Sequence, residues 1–363
     1  MKNKPTKHPT ICLNMIVKDE EHVITRCLES VKDVIDYWVI SDTGSSDKTK
    51  QIIKDFFAKH KIPGELHEHE WKNFSHNRNL ALDAAQKKSD YIFMMDADDE
   101  LMHDDNFRFK QLTEGSYFIN CILKGYTYAR RHLIKSDMPW KWVGVIHEHL
   151  ECRLPYSTPV YPTGHIIAST EGARGQNPDR FKVDIEILKS GLKDEPNNTR
   201  YQFYLAQSYR DDGDFENALK EYQNRVAMRG WEEEVYYALY EVGNAQARLG
   251  MKRSLVLESL LKAYYYRPSR LEALHKAVSI CRMSGHYHLG YQLGISALNT
   301  PMTTDVLFIP KSTYEWEFKD EVSICASWIG RKNEAKKIIN ELLKLDSLPD
   351  NARERIKNNL SFC

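Results

Sequence analysis

The sequence predicts an α/β domain over residues 1–175 that is followed by an all-α helical-repeat domain over residues 176–363. In the first half, short apolar runs alternate with segments of helical spacing, which is the order typical of an open parallel sheet with crossover helices. From about Phe181 the strand-like runs disappear and helical spacing takes over. Gly, Pro and polar residues dominate residues 168–180, which therefore form the expected boundary.

The strands of the first domain are predicted from short runs rich in β-branched and aromatic residues. The predicted strands are TICLNMIV (10–17), DYWVISD (36–42), GELHEHEW (64–71) and YIFMMDAD (91–98). A later run, residues 116–135, is typical of a hairpin with Gly125 near its turn. Ligands of such sheets bind beyond the carboxyl ends of the parallel strands, so the residues that follow each strand are the candidates for function.

Three helices are predicted between these strands. They are EHVITRCLESVKDV (21–34), SDKTKQIIKDFFAKH (46–60) and NFSHNRNLALDAAQKKS (73–89). In the first helix the spacing of Val23, Cys27 and Val31 places apolar side chains on one side, the pattern of a helix packed on a sheet. Ser46 or Asp47 is the expected N-cap of the second helix, because its side-chain oxygen can accept from a free backbone N–H.

The second domain contains internal repeats. Glycines recur at about the 34-residue period of tetratricopeptide helix pairs, with one longer interval. The recurring residues are Gly213, Gly250, Gly285 and Gly330. Small residues let two antiparallel helices approach, and glycine takes the turn between them. The pattern therefore predicts tetratricopeptide-like repeats, with an unrelated helical bundle as the alternative.

Composition limits the classes of function. Lys and Arg number 51, as do Asp and Glu, so the net charge is zero and broad nucleic-acid binding is not expected. No apolar run reaches membrane-spanning length, and no apolar signal core precedes the first strand, so we expect neither a transmembrane segment nor export. The seven cysteines are dispersed without a CxxC pair, which favours reduced thiols and a cytoplasmic location.

Carboxylates follow the fourth predicted strand in the stretch DADD. Residues i and i+2 of an extended chain point the same way, so Asp96 and Asp98 can reach one ion or one ion-bound diphosphate. Oxygen ligands suit magnesium or manganese. Other interpretations are an acid-rich helix N-terminus, a phosphatase-type nucleophile or a calcium loop. Asp99 stands where the phosphatases generally have Thr or Val, and the calcium loop would need a different Gly and Glu spacing.

Four segments in order then resemble one enzyme family. They are NMIVKDEE (14–21), ISDTGSSDKT (40–49), WKNFSHNRN (71–79) and FMMDADDE (93–100). Together they resemble family-2-type glycosyltransferases of the GT-A, Rossmann-like fold. The resemblance is nearest to the subgroup that contains lipopolysaccharide-core glucosyltransferases and bacteriocin S-glycosyltransferases. In the bacteriocin S-glycosyltransferases, tetratricopeptide-like helices follow this domain. It runs from about Ile11 to Leu101, and the helical half extends it over most of the chain.

The resemblance implies roles for the nucleotide-sugar residues. Glu20 corresponds to an acid that accepts a hydrogen bond from the ribose, and Asp42 to an aspartate that binds the base or ribose. Arg78 corresponds to an arginine near the diphosphate, where a guanidinium offsets phosphate charge. Asp96 would bind the nucleotide and the metal, together with Asp98. Three of these residues also have a structural interpretation. Glu20 could be an acid at a helix N-terminus, Asp42 part of a strand–turn link, and Arg78 an exposed arginine on a helix.

A later segment, WKWVGVIHEHL (140–150), resembles a Trp-rich His–Glu segment of the same subgroup. By that resemblance His147 is the third ligand of a Mn²⁺ or Mg²⁺ ion, and Glu148 is the base that takes the proton of the acceptor. Asp99 is the rival for the base. The alternative for the segment is a polar strand edge, because the same letters occur in ELHEHEW.

The implied function is a metal-dependent, inverting transfer of a hexose from a nucleotide sugar, expected to be UDP-linked. The acceptor would be a peptide, a glycan or a lipid-linked sugar, docked by the helical domain, which could also form a homodimer. One alternative is a non-catalytic tetratricopeptide scaffold whose transferase domain is degenerate. Another is a nucleotidyltransferase, which more often carries a glycine-rich, basic phosphate loop after its first strand.

Overall fold

A computed structural model describes residues 8–123 and 126–363, with the side chains of residues 126 and 127 excepted. Two compact units divide between Leu188 and Lys189. Unit 1 is an α/β domain and unit 2 is entirely helical, which confirms the predicted order of fold classes. The division falls after the expected linker, and the boundary at residue 175 remains a prediction.

Unit 1 is built on a mixed sheet. Its strands are β1 (Ile11–Val17), β2 (Tyr37–Asp42), β3 (Gly64–Glu68), β4 (Tyr91–Met94), β5 (Glu100–Met102), β6 (Ser116–Leu123), β7 (Tyr126–Lys135), β8 (Trp140–Val143), β9 (His149–Cys152) and β10 (His165–Ile167). Eight of them form one sheet in the order β3-β2-β1-β4-β7-β6-β10-β5, and β8 pairs with β9. Strands β1 to β4 are parallel, as the alternating sequence predicts.

Helices cover both faces of the parallel part. They are α1 (Ile24–Val31), α2 (Thr49–His60) and α3 (Phe74–Ala85). Two further helices, α4 (Ala173–Gln176) and α5 (Arg180–Asp194), come later in the chain, and α5 crosses the division between the units. Alternate residues of β1 point to opposite faces. Leu13 and Met15 join the core formed with α1 and α2, whereas Cys12 joins the core formed with α3 and the β8–β9 hairpin.

Two local predictions have different outcomes. Helix α2 starts at Thr49, and neither Ser46 nor Asp47 is its N-cap; Asp47 instead accepts from the N–H of Thr49 in a turn of its own at 2.9 Å. The predicted hairpin at 116–135 is present as β6 and β7, and the expected turn residue Gly125 lies outside the described residues.

Strand β7 brings a distant segment to the parallel sheet. It runs antiparallel to β4, with Phe93 opposite Leu133. Because the two strands run in opposite directions, the residues before Leu133 in the chain lie beside the residues that follow β4. Arg130 therefore reaches the carboxylates after β4, although it is separated from them by more than thirty residues of sequence.

Unit 2 consists of antiparallel helix pairs. Its helices are α6 (Thr199–Asp211), α7 (Phe215–Met228), α8 (Glu232–Arg248), α9 (Arg253–Tyr266), α10 (Glu272–Met283), α11 (Tyr287–Ile295), α12 (Phe318–Trp328), α13 (Lys332–Leu342) and α14 (Asp350–Asn359), with a π-helical turn at Thr313–Glu317 and a 3-10 turn at Leu360–Phe362. The four recurring glycines all have positive φ and separate the helices of four pairs: Gly213, Gly250, Gly285 and Gly330. Glycine adopts this conformation without strain, which explains its recurrence. No helix among the described residues is long and apolar enough to cross a membrane.

Gly294 shows how small residues set the helix spacing in unit 2. A Cβ atom added to it would lie 2.3 Å from Cγ2 of Val322 in α12. We expect Gly294→Ala to lower the free energy of unfolding by about 1–3 kcal/mol, the usual range for overpacking. This loss outweighs the better helix propensity of alanine, about 1 kcal/mol, because the β-branched valine cannot swing away.

Chemical denaturation followed by circular dichroism measures this difference. Gln292→Ala, an exposed substitution on the same helix, is the matched control and should stay within about 0.5 kcal/mol of the wild type. A Gly294→Ala protein that is as stable as the control would show that α11 and α12 can separate without loss.

Candidate active site

The candidate site lies at the carboxyl ends of β1, β2 and β4, which are neighbours in the sheet. Glu20 follows β1, Asp42 ends β2, and Asp96 and Asp98 follow β4. Parallel strands end at the same edge of a sheet, so residues far apart in sequence are brought to one place.

Asp42 is buried and only half satisfied. Its Oδ1 accepts from the N–H groups of Gly44 and Ser45 at 2.9 and 2.8 Å, so that it shapes the turn after β2. Gly44 has a φ of 108°, a conformation that favours glycine. The second oxygen, Oδ2, is buried without a hydrogen-bond partner. Buried polar atoms are rarely left unpaired, so this oxygen is a candidate acceptor for a ligand that reaches the turn after β2.

Two arginines hold Asp96. Its Oδ1 accepts from Nη2 of Arg78 at 2.7 Å, and its Oδ2 accepts from Nη1 of Arg130 at 2.8 Å. Burial disfavours the anion, but the charges of Arg130 and Arg78 prevail and hold the pKa of Asp96 well below its usual range. Asp96 is therefore an anion whose two oxygens are both engaged. Arg130 was not among the residues predicted from sequence.

Arg78 also connects Asp96 to a second acid. Its Nε donates to Oε1 of Glu148 at 2.6 Å, and its guanidinium lies over the ring of Trp142 at 5.1 Å. Helix α3 presents this arginine, and Asn73 caps the start of that helix by accepting from a backbone N–H. The buried guanidinium of Arg78 thus binds Asp96 and Glu148 at the same time and fixes these two predicted site residues relative to each other.

Asp98 and Glu20 converge on one backbone segment. The N–H of Gly172 donates to Oδ2 of Asp98 at 3.0 Å, and the N–H of Ala173 donates to Oε2 of Glu20 at 3.2 Å. Burial, with the charge of Asp98, raises the pKa of Glu20 to about 6. Burial and the charge of Asp96 also raise the pKa of Asp98. The two half-buried carboxylates therefore carry negative charge that the surrounding residues do not fully compensate.

Asp99 is deeply buried, with 3% of its surface exposed. Its Oδ1 accepts from the N–H of Ser169 at 3.3 Å. Burial, together with the charge of Asp96, raises the pKa of Asp99 to about 7. A carboxylate with a pKa near neutrality can take up a proton at physiological pH.

His147 does not join a cluster of carboxylates. It is exposed and has a φ of 51°. Within residues 8–123 and 126–363, no three His, Cys, Asp or Glu side chains are grouped closely enough to hold a metal ion. The predicted ligand set of Asp96, Asp98 and His147 is accordingly not assembled as one group.

A cavity of about 340 Å³ opens beside these acids. One wall is apolar and includes Val17, Trp71 and Phe74. The rings of Trp71 and Phe74 meet edge to face, with their centroids 4.8 Å apart. Glu20 and Arg174 contribute polar groups. Trp71 is 38% exposed, which is high for so large an apolar ring. Sequence reasoning placed Trp71 at a strand end without assigning it a role.

Comparison with known proteins supports the predicted resemblance. Residues 12–114 match the family described as Glycosyl transferase family 2. The SPbeta prophage-derived glycosyltransferase SunS of Bacillus subtilis is 27% identical over 216 residues, which cover 55% of this chain and 49% of SunS. A TPR repeat-containing protein of Synechococcus elongatus is 42% identical over 92 residues, or 25% of this chain and 21% of that protein. The chain thus spans about half the length of SunS.

Solved structures of helical-repeat proteins are similar to part of the chain. The crystal structure of the MamA protein is 18% identical, with a TM-score of 0.36, and the match covers 47% of this chain and 92% of MamA. TTC0263, a TPR protein of Thermus thermophilus, is 17% identical, with a TM-score of 0.35, and the match covers 50% of this chain and 91% of TTC0263. Scores of this size do not establish a shared fold, and the repeat architecture rests on the glycine-separated helix pairs themselves.

Proposed function

We propose that this chain is a glycosyltransferase that moves a hexose from a nucleotide sugar, with UDP as the expected nucleotide, to an acceptor hydroxyl or thiol. The observation that carries the proposal is that polar groups suited to a nucleotide sugar follow neighbouring parallel strands: Glu20, which lines the cavity, after β1; Asp42 with its unpaired Oδ2 at the end of β2; and Asp96 with its two arginines after β4. The match of residues 12–114 to the glycosyl transferase family supports the same reading.

The nucleotide would occupy the cavity beside β1 and β2. Trp71 offers a flat face for the base, and the free oxygen of Asp42 can accept an N–H of the base or a hydroxyl of the ribose. Glu20, which also lines the cavity, can accept from a second ribose hydroxyl. These three groups recognise a nucleoside without requiring a large backbone movement of the sheet.

The diphosphate would lie against Arg78 and Arg130. Both guanidiniums already converge on Asp96 from opposite sides. Guanidinium groups bind phosphate oxygens through paired N–H donors, so the pair is suited to a group that carries two or more negative charges. Asp96 then fixes the orientation of both arginines and keeps them apart at the spacing that the diphosphate meets.

A divalent cation fits the remaining acids. Mg²⁺ is commonly bound through one or two carboxylates plus substrate phosphates and water, so a protein-only cage of three side chains is not required. Asp98, with Glu20 beside it, supplies hard oxygen donors whose raised pKa values reflect uncompensated negative charge. Bound there, Mn²⁺ or Mg²⁺ would stabilise the charge of the departing diphosphate. His147 remains a prediction as a further ligand.

The reaction requires a base on the acceptor side. The acceptor O–H or S–H bond breaks as a carboxylate takes its proton, the freed heteroatom bonds to the anomeric carbon, and the bond from that carbon to the nucleoside diphosphate breaks with inversion. Asp99 has a pKa near neutrality but is deeply buried. Glu148 is nearer the surface and is held by Arg78. We therefore propose one of these two acids as the base.

A donor screen tests the proposal. UDP-, GDP- and dTDP-linked sugars would be incubated with the protein and Mn²⁺, Mg²⁺ or EDTA, and nucleotide release and thermal stability would be measured. Metal-dependent release or stabilisation by one nucleotide would support the proposal. If no nucleotide with metal raises the unfolding temperature, the alternative of a non-catalytic tetratricopeptide scaffold becomes the better description.

The partners and the location follow from this proposal. The acceptor is expected to be a peptide, a glycan or a lipid-linked sugar, and nucleic acid is not expected. All seven cysteines are free, which agrees with the proposed reducing, cytoplasmic setting. Formation of a homodimer through the helical domain stays a prediction.

A further inference from the structure

The longer interval between Gly285 and Gly330 contains a segment that crosses the helix pairs. Residues 296–312 connect α11 to the π-helical turn and contain no helix or strand over 301–310. Connections of this length in compact domains usually have a function. Asp305–Phe308, which we call the occupying segment, lies across the N-terminal ends of α6, α8 and α10 and is held there by groups typical of a peptide receptor.

The backbone of the occupying segment is bound at both its N–H and its C=O groups. One oxygen of Glu233 accepts from the N–H groups of Val306 and Leu307, each at 2.8 Å. Nη2 of Arg270 donates to the carbonyl oxygens of Leu307 and Phe308 at 3.0 and 3.5 Å. These contacts hold a main chain that bends at Leu307 and Phe308, where Phe308 has a φ of 50°, and they are independent of the side chains that it carries.

Two side chains of the occupying segment supply selectivity. The carboxylate of Asp305 meets Nε and Nη2 of Arg267 at 2.6 and 2.5 Å, and Nη1 of Arg270 at 3.3 Å. Three residues later, the ring of Phe308 packs on Tyr237 and Phe203, with centroids 5.0 and 6.4 Å apart. The segment therefore presents an acid that meets two arginines and, three positions later, an aromatic ring that packs on two other rings. This is an acid-x-x-aromatic pattern.

The receptor groups are fixed without the occupying segment. Arg270 is buried, bonded to Glu272 at 2.9 Å and stacked on Tyr236 at 4.7 Å. Tyr237 accepts from Arg210 at 3.0 Å. The occupying segment itself is less enclosed, because 78% of Val306 and 48% of Phe308 remain exposed. The side chain of Asp305 is enclosed, with 4% of its surface exposed, so the segment is anchored at this residue and open at Val306 and Phe308.

We propose that this groove, formed by Phe203, Glu233, Tyr237, Arg267 and Arg270, is a docking site for a peptide of another protein that carries an acidic residue three positions before an aromatic one and binds with the same bent main chain. The occupying segment fills the groove in cis and is displaced when that peptide binds. The inference is independent of the glycosyl-transfer proposal. The site selects its partner by charge, main-chain hydrogen bonds and one ring, the features that the occupying segment shows.

Competition sets the expected behaviour. A segment tethered by a short flexible linker acts at an effective concentration of about millimolar, so a free peptide binds the wild type weakly. The apparent dissociation constant scales inversely with the fraction of open groove. Removing the two anchoring side chains in cis, by Asp305→Ala combined with Phe308→Ala, should therefore tighten the binding of an external peptide by about 10-fold or more.

The test uses a fluorescein-labelled peptide with the sequence MTTDVLFIPK, residues 302–311, and the full chain. Fluorescence anisotropy should show tighter binding to the double variant than to the wild type. Adding Arg267→Ala to the double variant should abolish binding, whereas adding the exposed Lys252→Ala should not. A peptide in which Asp and Phe are both replaced by Ala should fail to bind. A folded double variant that does not bind the first peptide overturns the proposal.

Hydrogen exchange on the wild type gives a second test that needs no variant. The amides of Val306 and Leu307 should exchange faster than those of α8, and faster still with excess unlabelled peptide, because displacement frees them from Glu233. Exchange as slow as that of α8 would make the segment a fixed part of the fold and would overturn the proposal. If the wild type forms a concentration-dependent dimer and the double variant does not, the groove binds a second copy of this chain. That result would overturn the proposal of a peptide from another protein.

Discussion

Asp98→Asn is expected to reduce metal-dependent sugar transfer by at least about 100-fold while leaving the protein as stable as the wild type, or more stable. The loss of activity follows from the proposed role of Asp98 as a metal-binding carboxylate, because removing one electrostatic group from a transition state commonly costs this much. The amide oxygen of Asn can still accept the N–H of Gly172, so the local backbone contact survives.

The stability of this variant follows from the pKa of Asp98. Burial and the charge of Asp96 raise that pKa in the folded protein. A carboxyl group with a raised folded pKa binds more protons when folded than when unfolded, so its contribution to stability is lost as the pH rises through its folded pKa. A neutral amide avoids this loss. The difference in unfolding temperature between Asp98→Asn and the wild type should therefore grow as the pH rises above the ordinary pKa of an aspartate and through the raised folded pKa of Asp98.

Asp104→Asn, an exposed substitution in the loop that follows β5, is the matched control and should change neither activity nor stability. Thermal unfolding with and without Mn²⁺ and UDP adds a direct readout of ligand binding. If Asp98→Asn keeps both its transferase activity and its stabilisation by metal and nucleotide, Asp98 is not the metal-binding carboxylate.

The parallel part of the fold was predictable because local signals determine it. Strands β1, β2 and β4 are short apolar runs, and β1, β2 and β3 are each followed by a helix that the sequence pattern predicts. Crossover connections then bring successive strand ends to one edge, so Asp42, Asp96 and Asp98 could be assigned to that edge before any geometry was known. The glycine turns of unit 2 were predictable for a similar reason, since positive φ is a local requirement.

The missed residues depend on long-range pairing. Arg130 reaches Asp96 because β7 lies antiparallel to β4, and no local periodicity specifies which strand a hairpin joins. A useful signal was present in the two consecutive arginines of YARRHLIK. Consecutive residues of a strand point to opposite faces, so if this hairpin strand lies inside a sheet, each face carries a charge that needs a partner. The groove of unit 2 was missed because its receptor residues and the occupying segment are separated by up to about a hundred residues in sequence.

Arg78→Ala is expected to move stability in the opposite direction to Asp98→Asn, with a loss of about 3 kcal/mol in the free energy of unfolding. Asp96 keeps Arg130 as its partner, but the 9%-exposed side chain of Glu148 loses its short ion pair with Arg78. A nearly buried carboxylate without its partner is costly. Sugar transfer should also be abolished, since the diphosphate loses one of its two proposed guanidinium contacts.

Arg78→Lys separates charge from geometry. A lysine retains the positive charge, but its single ammonium lacks the planar fork that meets Asp96 and Glu148 at once and that stacks on Trp142. We expect it to recover part of the stability and little of the activity. Urea denaturation and the donor assay measure the two effects.

Arg108→Ala is the matched control for Arg78, because its exposed guanidinium donates only to a neighbouring backbone oxygen at 3.3 Å. It should stay within about 0.5 kcal/mol of the wild type. If Arg78→Ala is as stable as this control, Glu148 is solvated without the arginine, and the fork does not organise the site. If Arg78→Lys is fully active, positive charge alone suffices and the diphosphate does not require paired donors.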